Sequence, residues 1–231
     1  MYKNDELLQL FPTPVLIANY PSDYSKELEW IKKLECNRIN GGDVGIAEEW
    51  RSSHYNCQSD DTFLLDKPEL KKIRKFIDIK VNKYVKDILG SSDQLMITQS
   101  WVNKTTKGES HHEHAHPNSL VSGVWYPVIH DKLPPIQFKT PMQRDVSLKV
   151  SKFNTFNGAT FLLPLNKGEL ILFPSNLSHS VPSNQSDEER ISLSFNTWCI
   201  NNLGDIESLT YLPLDRLMQK KKKPTLRTVT K

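Results

Sequence analysis

RISLSFNTW, residues 190–198, alternates between apolar and polar side chains with the period of a β-strand. The apolar face carries Ile191, Leu193 and Phe195, and the polar face carries Arg190, Ser192, Ser194 and Asn196. Three earlier stretches are also rich in strand-forming residues: 95–102, 120–128 and 169–173. From about residue 95 onwards, the sequence therefore predicts an antiparallel β-barrel or jelly-roll.

The chain before this β-region is predicted to be helical and to support the sheet. Apolar residues between Leu70 and Ile88 recur at helical spacing, and Gly90 follows the last of them. Such an amphipathic helix needs an apolar surface to cover, and the sheet supplies one. Helices followed by strands indicate an α+β fold that is mainly β.

Three ranges describe the predicted organisation. Residues 1–94 are the helical support within the same domain, 95–205 the β-core, and 206–231 a C-terminal extension with a basic tail. The stretch 129–160 is poorly periodic, which favours long loops with room for a lid.

Composition indicates an ordinary soluble protein. Of 231 residues, 37% are hydrophobic and 25% charged, and the mean hydropathy is −0.52. These values exclude a disordered polyelectrolyte, a collagen-like chain and a disulfide-stapled miniprotein. No apolar stretch approaches bilayer length, the N-terminus lacks secretory features, and the three cysteines are widely spaced. The sequence therefore predicts a cytoplasmic protein without membrane contact.

Positive charge is concentrated at the C-terminus. The net charge is +3, whereas residues 217–231 contain six basic residues and no acidic one, so the rest of the chain is slightly acidic. Contact with nucleic acid is therefore expected only through the tail around Lys220–Lys223.

Histidines form the first chemical signal. Four of the seven, His111, His112, His114 and His116, lie within six residues, and a fifth is His179. On a strand, His114 and His116 would share a face, and an imidazole from a neighbouring strand would complete three ligands for one metal ion. Non-haem iron(II) oxygenases use such a facial arrangement, usually with two histidines and one carboxylate. The alternative is a solvated histidine-rich loop.

Arg190 is the second signal, because it lies eleven residues after His179 and shares its strand face with Ser192. An arginine inside a barrel is costly unless an anion meets it, and a guanidinium beside a hydroxyl can grip a carboxylate. The alternatives are an internal acidic partner for Arg190 or an outward orientation.

Four stretches carry a resemblance to a known family: QSWVN at 99–103, HAHPNSLVSGVWY at 114–126, GELILFPSNLSH at 168–179 and RISLSFN at 190–196. In these the chain resembles the 2-oxoglutarate/Fe(II)-dependent oxygenases, specifically a group related to prolyl 4-hydroxylases and found widely in phages and marine bacteria. The resemblance implies a double-stranded β-helix, which is a jelly-roll of cupin-like shape. It also implies Fe(II), 2-oxoglutarate as co-substrate, and O2. The reaction would hydroxylate an unactivated C–H bond, with peptidyl proline as the first candidate substrate, and release succinate and CO2. A phage-encoded member would act in the host cell cytoplasm.

The same resemblance assigns roles to individual residues. His114, His116 and His179 would bind the iron, and the co-substrate carboxylate far from the metal would meet Arg190. The further candidates for co-substrate contact are Ser192, Tyr126, Asn103 and Asn196, and Trp101 and Trp125 are candidate pocket walls.

One position departs from the family pattern, because His116 stands where the family has Asp or Glu. Either three imidazoles hold the iron, or the register slips and His111 with Glu113 supplies a His/Glu pair. Two other classes remain open: a cupin-like three-histidine metalloenzyme that does not use 2-oxoglutarate, and a non-enzymatic metal-binding or structural protein. The sequence does not choose between a protein and a small molecule as substrate.

Overall fold

Two antiparallel sheets dominate the computed structural model, which describes residues 7–39, 54–141, 146 and 149–219. The larger sheet has seven strands in the order β1 (Leu16–Asn19), β9 (Glu169–Pro174), β6 (Val121–Val128), β11 (Arg190–Cys199), β4 (Leu95–Thr105), β3 (Cys57–Gln58) and β2 (Arg38–Ile39). The smaller sheet has four strands in the order β5 (His111–His114), β10 (His179–Val181), β7 (Ile136–Lys139) and β8 (Thr160–Leu163). From β4 to β11 the chain passes repeatedly between the two sheets, which confirms the predicted double-stranded β-helix.

Helices cover the outer side of the larger sheet. The first is α1 (Ser25–Lys32), and the second is α2 (Lys71–Lys83), which continues as a π-helical turn (Tyr84–Ile88). Short 3-10 turns at Leu64–Asp66 and Pro68–Leu70 lead into α2, and α3 (Leu214–Gln219) lies near the C-terminus. The helix predicted from the apolar spacing is thus confirmed, with a wider last turn.

The N-terminal part contains strands as well as helices. β1, β2 and β3 extend the two edges of the larger sheet, and each has only two to four residues. Strands this short show too little alternation for a period to be recognised in the sequence.

A large apolar cluster lies between the helices and the larger sheet. The apolar face of β11 packs here, together with Ile73 and Ile77 of α2 and with Trp125 of β6. The Trp125 indole N–H donates a hydrogen bond to the carbonyl of Gly168 at 3.1 Å. Trp125 was a candidate pocket wall, but its position on β6 directs it towards the helices. That prediction is therefore wrong.

A second cluster fills the space between the two sheets. It contains Tyr126 of β6, Phe173 of β9 and Phe138 of β7. The polar face of β11 turns to this same side, since its apolar face lies under the helices. The interior of the barrel is therefore apolar on one side and polar along β11.

Some expectations fall outside these ranges. The Lys220–Lys223 tail is not among the described residues. In the predicted loop region 129–160, residues 142–145 and 147–148 also lie outside the described ranges. No helix within the described ranges is both long enough and apolar enough to span a membrane.

Candidate metal centre and co-substrate pocket

Three histidines converge at one end of the barrel. One ring nitrogen from each of His114, His116 and His179 lies within 4.8 Å of the other two. His114 on β5 and His179 on β10 are directly opposite each other in the smaller sheet, with ring centroids 4.4 Å apart. The His116 ring lies 4.9 Å from that of His114 and 5.1 Å from that of His179.

A β-bulge in β5 changes which histidines share a face. His114 pairs with His179, whereas His111 pairs with Val181, so β5 holds one extra residue between the two pairs. His111 and His114 consequently stack, with ring centroids 4.4 Å apart and planes at 11°. His116 lies beyond the end of β5 and reaches the cluster from a loop. The expectation that His114 and His116 share one strand face is therefore wrong, although both rings reach the same place.

Hydrogen bonds hold the loop that carries His116. The His116 backbone N–H donates to the carbonyl of Ser175 at 2.9 Å. The Ser175 hydroxyl lies 2.7 Å from that of Ser119 and 2.8 Å from that of Ser122. Ser122 in turn donates to Asn196 Oδ1 at 2.8 Å. Asn196, a candidate for co-substrate contact, thus belongs to the network that fixes this loop.

The imidazoles are prepared for metal binding. Nδ1 of His114 lies 2.9 Å from the carbonyl of His112, and Nδ1 of His179 lies 2.9 Å from that of Leu177. Since a carbonyl only accepts, both Nδ1 atoms carry the proton and both Nε2 atoms keep their lone pair. Burial lowers the pKa of His116 to about 3 and that of His179 to about 4, and it also lowers the pKa of His114. All three rings are therefore neutral near pH 7, as metal ligands must be.

Glu113 points away from the three histidines. Its carboxylate accepts hydrogen bonds from Lys139 Nζ and from the Ser178 hydroxyl, both at 2.9 Å, at the exposed side of the smaller sheet. The alternative His111/Glu113 ligand pair is therefore incompatible with this arrangement. His111 faces the histidine cluster, whereas its neighbour two residues later faces the opposite side.

Arg190 is the buried cation of the barrel. It is only 2% exposed; its Nε donates to the carbonyl of Pro134 at 3.0 Å and its Nη1 to the Ser192 hydroxyl at 3.2 Å. The guanidinium carbon lies 5.1 Å from the centre of the Tyr126 ring. Within the described ranges, no carboxylate forms a salt bridge with Arg190. An unpaired buried charge lowers the free energy of unfolding by several kcal/mol, which is about the desolvation penalty of one ion. A pocket that contains such a charge is suited to an anionic ligand.

Tyr126 completes the polar end of the pocket. Its hydroxyl is buried and donates to no acceptor among the described residues, and burial raises its pKa to about 12 despite the nearby charge of Arg190. A neutral phenol beside a guanidinium offers a carboxylate one more donor. A carboxylate ligand would satisfy both groups.

Asn103 lies on the same polar side, opposite Ser192 in the pairing of β4 with β11. It is buried; its Nδ2 donates to the Ser194 hydroxyl at 3.0 Å, and its Oδ1 accepts from Asn56 Nδ2 at 3.4 Å. In this arrangement Asn103 ties β4 to β11. Its contact with a co-substrate stays a prediction.

The chain carries the signature of one enzyme family across this region. Residues 99–196, which include the three histidines and Arg190, match the profile of the family described as "Putative 2OG-Fe(II) oxygenase". Over this part, the chain is similar to the 2OG-Fe(II) oxygenases. It is therefore an enzyme that works with Fe(II), 2-oxoglutarate and O2, and its donor set fits both groups: imidazoles suit iron, and the unpaired guanidinium suits a carboxylate. No curated protein matches the chain.

Solved oxygenases share the fold. A 2OG-Fe(II) oxygenase family oxidoreductase from Burkholderia pseudomallei is 12% identical with a TM-score of 0.54, covering 79% of this chain and 83% of that one. A Pseudomonas putida prolyl-4-hydroxylase is 13% identical with a TM-score of 0.52, covering 80% and 94%. HygX from Streptomyces hygroscopicus, solved with nickel, 2-oxoglutarate and hygromycin B, is 12% identical with a TM-score of 0.53, covering 80% and 82%. At such identities the likeness concerns the fold alone.

Proposed function

We propose that this oxygenase hydroxylates an unactivated C–H bond at a centre where His114, His116 and His179 hold Fe(II). Arg190, with Ser192 and Tyr126, would bind the carboxylate of 2-oxoglutarate that lies far from the metal. One observation carries the proposal: the buried guanidinium has no acidic partner in the described ranges and contacts the Tyr126 ring, whose cluster includes Phe173, 4.9 Å from the His179 ring.

The three histidines would set the geometry and charge of the metal site. When bound, Fe(II) together with 2-oxoglutarate and O2 supplies the oxidising power that breaks the C–H bond, and succinate and CO2 are released. With three protein ligands, the ion would keep coordination positions for the co-substrate and O2. Because no carboxylate is among them, the centre keeps one more unit of positive charge than a two-histidine, one-carboxylate site. That charge strengthens attraction to an anionic co-substrate.

The Arg190 pocket would orient the co-substrate before reaction. The Pro134 carbonyl, the Ser192 hydroxyl and the Tyr126 ring hold the guanidinium in one position, so little side-chain freedom is lost on binding. The surrounding apolar cluster excludes water, which strengthens the contact between guanidinium and carboxylate. The chain thereby holds one end of a dicarboxylate while the other end meets the metal.

Succinate formation tests this proposal. Fe(II)-loaded protein is expected to convert 2-oxoglutarate to succinate, slowly without substrate, as measured by mass spectrometry. His179→Ala should lose metal retention and turnover together, whereas Arg190→Met should keep the metal but lose about a hundredfold or more in 2-oxoglutarate affinity, about 3 kcal/mol. Arg74→Met is the matched control, since Arg74 is a surface arginine that pairs with Asp66 and Asp78. Turnover unaffected by Arg190→Met would refute the assignment of the pocket.

For the substrate, we propose peptidyl proline. The motifs that resemble prolyl 4-hydroxylases support this choice. Proline-containing peptides incubated with the iron-loaded enzyme should gain one oxygen atom, and matched peptides with alanine in place of proline should not. Unmodified proline peptides, together with succinate formation stimulated by another compound, would reject peptidyl proline and leave the oxygenase chemistry intact.

A further inference from the structure

Trp101 places an unsatisfied donor beside the histidine cluster. It lies on β4 opposite Ser194 of β11, and its ring centroid is 5.9 Å from that of His116 with the planes at 61°. The indole Nε1 is buried and has no hydrogen-bond partner among the described residues. A buried N–H without an acceptor is costly, so this position is suited to an acceptor that the described residues do not supply.

A second unsatisfied donor is the Tyr126 hydroxyl, which lies beside Arg190 at the other end of the polar face of β11. Trp101 faces Ser194, four residues along β11 from Arg190, which corresponds to about 13 Å between the Cα atoms at the usual rise of a strand. The Trp101 ring lies beside His116, and the Arg190 guanidinium lies beside the Tyr126 ring. The Trp101 N–H is therefore a donor beside the histidines, and the Tyr126 hydroxyl and the Arg190 guanidinium are donors at the other end. This pattern is suited to a small dicarboxylate, which has oxygens at both ends.

We infer that the Trp101 indole N–H donates a hydrogen bond to the carboxylate at the metal-binding end of the co-substrate. This inference rests on the proposed function, because it names a partner for the other end of the same ligand. Trp101 is thus a ligand-binding residue that acts through its N–H donor. Arg190 and Trp101 then recognise opposite ends of 2-oxoglutarate.

Two ligands separate the two ends. Oxalate carries adjacent carboxylates that chelate a metal and has no distant carboxylate, whereas 2-oxoglutarate has both ends. Zn(II)-loaded protein, which does not turn over, is titrated with each ligand by isothermal calorimetry. Trp101→Phe keeps an aromatic ring and removes only the N–H donor. Because a hydrogen bond to a charged group contributes about 1.5–3 kcal/mol, this change should weaken both ligands by the same factor, about tenfold or more.

Arg190→Met should instead weaken 2-oxoglutarate and leave oxalate unchanged. Trp30→Phe is the matched control, since Trp30 packs in the helix-side cluster on the opposite face of the larger sheet. A second measurement uses the wild-type chain, which has five tryptophans. Oxalate should move one indole N–H resonance of the Zn(II)-loaded protein downfield, and that resonance should persist in Trp30→Phe.

Distinct outcomes overturn the inference and the proposed function. Normal wild-type binding, with oxalate affinity unchanged in Trp101→Phe, would overturn the role of Trp101 alone. So would the absence of any indole shift on addition of oxalate, even if Trp101→Phe failed to fold. Zn(II)-loaded wild-type protein that bound neither ligand would overturn the proposed function and this inference with it.

Discussion

The two faces of the seven-stranded sheet differ in almost every respect. On the helix side, Leu193 and Phe195 of β11 are completely buried in a continuous apolar cluster. On the barrel side, the same strand presents Arg190 and Ser192, which are equally buried but polar. One strand thus contributes to packing with its odd-numbered residues and to the pocket with its even-numbered residues.

This difference separates stability from chemistry. Apolar burial on the helix side contributes free energy of folding in proportion to area. On the barrel side, Arg190, Tyr126 and Trp101 keep charges or donors that the described protein does not satisfy, which costs stability until a ligand arrives. Substitutions on the helix side should therefore lower the free energy of unfolding, whereas substitutions on the barrel side should weaken ligand binding without lowering it.

The largest effect on stability is expected from Phe195→Ala on the helix side. Removing a fully buried ring should lower the free energy of unfolding by about 3–5 kcal/mol, because the cavity cannot close. Packing is tight here, because a Cβ added at Gly123 would clash with the Phe195 ring. Urea denaturation measures the loss. The folded fraction should bind 2-oxoglutarate with wild-type affinity, and a matched loss of affinity would show that the two faces are coupled.

Arg190→Met is expected to have an intermediate effect on the free energy of unfolding, opposite in sign to that of Phe195→Ala. Methionine fills a similar volume and removes an unpaired buried charge, so the free energy of unfolding of the metal-free protein should stay constant or rise by up to about 2 kcal/mol. Urea denaturation in the presence of a chelator provides the measurement. A fall in stability as large as that of Phe195→Ala would mean that Arg190 is part of the folding core.

The smallest effect is expected for Glu113→Gln at the outer surface of the smaller sheet. Its contacts with Lys139 and Ser178 are exposed, and such surface pairs contribute about 0–1 kcal/mol. Metal affinity, measured by competition with a chelator, should match that of the wild type. A tenfold loss of metal affinity would indicate that Glu113 is a metal ligand.

Much of this arrangement was predictable from residue patterns of short range. The alternation in β11 correctly separated its two faces, and the apolar spacing located α2, because both depend on the local period of a regular element. The short strands β1 to β3 escaped prediction since two to four residues carry no period. Trp125 was misplaced because residue type does not tell which face of β6 meets the helices.

The histidines show the same limit at the site. Their clustering in the sequence suggested a metal centre, but the route by which His116 arrives depends on a bulge in β5 and on a loop held by Ser175. A bulge arises from the pairing of β5 with β10, which are distant in the chain. Local alternation therefore assigned His114 and His116 to one strand face, whereas the bulge aligns His111 with His114.

By itself, the sequence determined the chemical inventory: four clustered histidines, a distant histidine, and a guanidinium on the polar face of an alternating strand. These follow from composition and period, which are properties of neighbouring residues. Only the tertiary structure decided that Arg190 lacks an acidic partner in the described chain, that Glu113 turns outward, and that the donors of Trp101 and Tyr126 are left without acceptors. Such facts depend on which distant segments pack together and exclude water, and no local pattern encodes them.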